Sequence, residues 1–117
     1  MHKLVIMIEA PTDGSAFETG WPEFLHQAER MPGLVREATS RVDFVLYGEM
    51  AVSMVHELFF DSMEDARQAM SSSPGREAGK ILQRITGGRM VLFFADHKQD
   101  EIENIRRLKP EAGEADS

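Results

Sequence analysis

Met54-Val55-His56-Glu57-Leu58-Phe59-Phe60-Asp61-Ser62-Met63-Glu64-Asp65-Ala66 reads as a strand that runs directly into a helix. Val55, Leu58, Phe59 and Phe60 are strand formers, and Asp61-Ser62 closes the run. Ser62 suits an N-cap, because its hydroxyl can accept a backbone N–H that has no partner inside the helix. Asp65, three residues on, stands where a carboxylate reaches back to that cap. Helical spacing continues through Met63, Ala66, Ala69 and Met70, breaks at Ser71-Ser72-Ser73-Pro74-Gly75, and resumes with Ala78, Ile81, Leu82 and Ile85. Gly87-Gly88 supplies a C-cap and turn, and Met90–Ala95 forms the last strand.

Upstream, Leu4–Ile8 is a continuous apolar run bounded by Ala10-Pro11 and the loop Thr12-Asp13-Gly14-Ser15, which reads as a buried strand. A helix is predicted from Pro22, where a missing N–H does no harm, with Phe24, Leu25, Ala28 and Met31 on one face and Pro32-Gly33 as its stop. The second strand is the hardest to place. Hydrophobic pattern alone puts it over 43–48, around Phe44-Val45-Leu46-Tyr47, because Leu34–Val42 has little pattern. The order β-α-β-β-α-β predicts an α+β ferredoxin-like sandwich, a four-stranded antiparallel sheet with two helices on one face. Ile102, Ile105 and Leu108 suggest a short terminal helix over Glu101–Leu108. One domain over 1–109 and a disordered acidic tail over 110–117 complete the expected organisation.

The chain has 117 residues, one domain's worth, with 13 basic and 20 acidic residues and a formal charge of −7. That balance argues against nucleic acid as a partner. The absence of cysteine excludes disulfides, thiolate metal sites and cysteine nucleophiles. The apolar runs are too short to cross a bilayer, and Leu4–Ile8 is short for a signal-peptide core, so a soluble cytoplasmic protein is expected.

Two helices cover only one face of a four-stranded sheet, yet the strands are apolar on both. Leu4, Ile6 and Ile8 oppose Val5 and Met7; Met90, Leu92 and Phe94 oppose Val91, Phe93 and Ala95. At about 1.5–3 kcal/mol per large apolar side chain, a bare second face would forfeit much of a small domain's stability. The expected cover is a second copy of the sheet, packed face to face in a two-fold homodimer; the alternative is that the terminal helix folds across that face.

The chain resembles the EthD-like proteins of the dimeric α/β-barrel superfamily. Met31-Pro32-Gly33-Leu34 is similar to that family's "LPGL" element, and His56–Ala66 to its strand–cap–helix element. Ser73-Pro74-Gly75 is similar to its "SpEG" element with one residue missing. The resemblance spans about residues 2–97 and implies a dimeric α/β barrel. It also implies that the second strand follows Pro32-Gly33-Leu34 directly, over Leu34–Val42, with Asp43–Val52 as the connection onward. The family's helix-one histidine falls at Phe24 here, so a role for that histidine does not carry over.

His56 is the candidate catalytic residue, a proton shuttle or polar anchor among Met54, Leu58 and Phe60; the alternative is a buried histidine satisfied by its neighbours. Glu57 points to the opposite face of its strand and matches a family glutamate. With Trp21 at the mouth of a helix–sheet cleft, Phe24 and Arg36, it makes up the expected ligand-pocket set. Arg36 and Arg41 flank the second strand, and either suits a substrate carboxylate. The four histidines show no metal-ligand spacing, so neither a metal nor haem ligation by histidine is expected, and no cofactor is assigned. Two functions stay open. One is binding of a small apolar organic molecule, with acid–base or oxygenase-like chemistry of the kind the superfamily's monooxygenases and isomerases imply. The other is a non-catalytic homodimeric accessory or binding module. A cleft holding His56 and another polar group favours the first; a cleft filled by Met, Phe and Leu side chains favours the second.

Overall fold

The computed structural model describes residues 1–103; the expected terminal helix beyond Glu103 and the tail from Pro110 lie outside the described residues. The elements run β1 (His2–Glu9), α1 (Gly14–Glu29), β2 (Leu34–Arg41), β3 (Val52–Phe60), α2 (Met63–Ser71), α3 (Ser73–Thr86) and β4 (Met90–Asp96). The sheet is antiparallel throughout, in the order β2-β3-β1-β4, with the helices on one face. This is the ferredoxin-like α+β sandwich expected from the sequence.

Alternation explains the core. Leu4, Ile6 and Ile8 of β1 and Met54, His56, Leu58 and Phe60 of β3 point under the helices and are all buried. They meet Phe17, Phe24 and Ala28 of α1, Ala66 and Ala69 of α2, and Ala78, Ile81, Leu82 and Ile85 of α3. The α2–α3 junction forms as the sequence suggests. Ser62 accepts the Asp65 N–H, Ser72 accepts the Gly75 N–H, and Gly87 ends α3 in the left-handed region at φ 62°.

Two expectations are corrected. Helix α1 begins eight residues before Pro22, because Asp13 caps it by accepting the Ala16 N–H at 3.1 Å. Pro22 therefore lies inside the helix and leaves the Glu18 carbonyl without its helical donor, on a side where Glu18 is exposed to water. The segment 43–48 is not a strand. Its apolar side chains are exposed, Tyr47 almost completely at 97 %, and β2 occupies Leu34–Arg41, as the family resemblance implied.

The helix-free face is less bare than the alternation predicts. The Arg36 guanidinium lies 4.2 Å from the Phe59 ring centre, Lys3 sits over the same ring and pairs with Glu57, and His97 meets it edge-on. Long basic side chains thus cover Phe59 within one chain. The apolar surface left open on this face lies along β4, at Val91 and Phe93.

Candidate functional site

The site is organised by the pairing of β2 with β3. Thr39 stands opposite His56, Glu37 opposite Leu58 and Arg41 opposite Met54. Directly opposed residues share a face, so Glu37, Thr39 and Arg41 line the helix side of β2. His56 is fully buried. Trp21 meets its ring edge-on at 5.1 Å between centres, and Phe24 does so at 5.7 Å. Both ring nitrogens are engaged: Nε2 lies 2.8 Å from Glu37 Oε2, and Nδ1 2.8 Å from Thr39 Oγ1.

A carboxylate only accepts hydrogen bonds, so Nε2 carries a hydrogen toward Glu37. The Thr39 hydroxyl donates to Nδ1 when the ring is neutral and accepts from it when the ring is charged. No ring nitrogen is then free to take a proton from a bound molecule. His56 communicates with the surface through its two partners on the edge strand, the exposed Thr39 and the partly exposed Glu37.

Beside this network a cleft of about 320 Å³ opens between α1 and the β2–β3 edge. Phe17, Trp21 and Pro22 form its helical wall, and Arg41, Ser53 and Met54 its sheet wall. Trp21 stacks between Phe17 and Phe24, at ring-centre distances of 5.4 and 4.9 Å, and so separates the cleft from His56. The Ser53 hydroxyl is held by the Ile8 carbonyl at 3.2 Å.

The structure brings Trp21 and Phe24 to His56. Arg36 and Glu57 do not join them: strand parity puts both on the helix-free face, where Arg36 covers Phe59 and Glu57 pairs with Lys3. The pocket set read from the sequence is corrected at those two positions and at Phe24, which is buried beside His56 and does not line the cleft; Trp21 does, and Arg41 is the arginine that reaches it. Glu37 and Thr39 were not singled out by the sequence reading. Their alternate positions with Arg41 along the strand are visible in the sequence, but only the strand register shows that Glu37 and Thr39 meet His56. Among the described residues, no three His, Asp or Glu side chains converge in a way that would hold a metal ion, and no helix is long and apolar enough to cross a membrane.

No family model matches the chain. It is 22% identical over 99 residues to an uncharacterised 11.0 kDa protein of Rhodococcus erythropolis, a match that spans 84% of this chain and 96% of the relative. Its fold is similar to that of an EthD family protein from Bacillus halodurans, with a TM-score of 0.75 and 25% identity, covering 84% of this chain and 99% of that one. SnoaB, a cofactor-independent oxygenase from Streptomyces nogalater, matches with a TM-score of 0.64 and 15% identity over 86% of this chain and 96% of its own. A dimeric ferredoxin-like protein of unknown function from Jannaschia matches with a TM-score of 0.64 and 11% identity, over 82% and 98%. At such identities the last two share the fold alone, and several neighbours of this kind are dimers. The structural likeness thus agrees with the sequence elements at Met31–Leu34 and His56–Ala66: the chain resembles an EthD family protein and has the ferredoxin-like fold.

Proposed function

We propose that this protein binds a small apolar organic molecule in the cleft between α1 and the β2–β3 edge, as a homodimer joined through the helix-free sheet face. The observation that carries the reading is the cleft itself, open and walled by Phe17, Trp21, Pro22 and Met54. Ligand sites are concave, mostly apolar and fixed by a few polar groups, and about 320 Å³ suits a molecule of one or two rings. The dimeric neighbours and the open Val91 and Phe93 support the assembly. Oxygenase-like chemistry has the support of fold analogy with SnoaB.

A second reading, a non-catalytic binding or accessory module, is favoured by the engagement of both His56 nitrogens with β2. The test is a titration of the full chain with the uncharged aromatic 4-phenylbutan-1-ol. Trp21, the single tryptophan, is the reporter. Saturable change in its fluorescence is expected. No saturable change up to the solubility limit would overturn the proposal.

A further inference from the structure

We infer that the ligand of this cleft is an apolar carboxylate whose anionic end is held by Arg41. The inference rests on the cleft being the binding site and adds the chemistry of what enters it. Other cations on or beside the strands are occupied, Lys3 by Glu57, Arg89 by Glu9 and Arg36 over Phe59, while Arg30, Arg67 and Arg76, which also have no carboxylate partner among the described residues, do not line the cleft. Arg41 has no carboxylate within ion-pair distance among the described residues, although it lines the cleft beside the acid Glu18. A permanently charged fork beside an aromatic wall is matched by a planar carboxylate, which it can grip through two parallel N–H···O bonds.

The remaining groups fix where that carboxylate goes. The Ser53 hydroxyl is engaged with the Ile8 carbonyl. Glu18, on the opposite wall, repels an anion toward β2. The apolar body then lies along Trp21 and Phe17, with its charged end at the mouth beside Thr39, the next residue but one on the same strand face.

The experiment compares 4-phenylbutyrate with 4-phenylbutan-1-ol, which share a body and differ in charge, by calorimetry and Trp21 fluorescence on the full chain. The carboxylate should bind about tenfold more tightly, and the preference should shrink in high salt. Arg41→Gln should abolish the preference, so that the carboxylate and the alcohol bind the variant equally. Equal binding of the two by the natural protein, or a preference that survives Arg41→Gln, overturns the inference and leaves the cleft reading intact. If neither compound binds, the cleft reading fails and the inference goes with it.

Discussion

Replacing His56 by alanine tests whether its contacts pin the edge strand. The ring is wholly buried between Trp21, Phe24 and β2. Truncating a buried side chain of this size leaves a cavity, an effect worth about 2–5 kcal/mol. The substitution also strands Glu37 and Thr39, and an acceptor left buried without its partner adds about 1–3 kcal/mol. Here the second effect falls to its lower end, because the Glu37 side chain is 20 % exposed on an edge strand and can turn to water. A loss of about 3 kcal/mol is expected, a large share of the roughly 5–15 kcal/mol that holds a domain of this size. That corresponds to a fall in Tm of about 12–24 °C. Urea unfolding followed by circular dichroism measures the loss, and amide exchange locates it: β2 amides should lose protection before those of β1. Thr39→Val, which removes one bond at the open end, should cost about 1 kcal/mol. A loss below about 1 kcal/mol for His56→Ala, or unchanged exchange in β2, would refute the idea that the network anchors that strand.

Gly20→Ala should destabilise the protein by about 1–3 kcal/mol, since a Cβ there would stand 2.2 Å from Ile85 Cγ2 at the α1–α3 contact. Ile85→Leu removes that methyl, so the double variant should melt closer to the natural protein than the two single effects predict. Sedimentation of the natural chain should give a dimer, and Phe93→Glu, placing a charge on the open part of the helix-free face, should give a folded monomer of about half the mass. A natural protein that sediments as a monomer at micromolar concentration would remove the dimer proposal.

The elements legible in the sequence are those whose burial is one-sided and regular. Strands β1, β3 and β4 announce themselves as apolar runs between turn residues, and α3 carries apolar residues at i, i+3, i+4 and i+7. Strand β2 does not, because it is an edge strand with Arg36, Glu37, Thr39, Ser40 and Arg41 along it, while the more hydrophobic Phe44–Tyr47 next door is exposed loop. Its position came from the turn at Pro32-Gly33, where Gly33 adopts φ 80°, and from family resemblance. The start of α1 was hidden by a conflict of signals. Asp13 reads equally as a loop residue and as a cap, and Pro22 reads as a helix start. At the site, His56, Trp21 and Phe24 were recognisable by residue type and strand context. Glu37 and Thr39 were not, since a polar residue acquires a partner only when the register of two strands is known.

The placement of the cleft follows from the sheet order. A single layer of helices buries the inward side chains of the central strands β3 and β1, but at both edges the layer runs out. On β4 the uncovered inward residues are Leu92 and Phe94, and the outward ones Val91 and Phe93, so this edge is apolar on both sides, each of the four being 37–45% exposed. On β2 the inward residues past the helices are Thr39 and Arg41, polar and exposed. The same geometric shortfall therefore has two chemical outcomes. An apolar edge lowers its free energy only by being covered, which suits contact with protein. A polar edge beside an aromatic helix wall is stable when open, because water solvates Arg41 and Thr39 until something displaces it. A small molecule that does so must replace the hydration of a guanidinium while matching the face of an indole. That requirement, set by which side chains the two edge strands carry, is why the proposed ligand is assigned to β2 rather than β4.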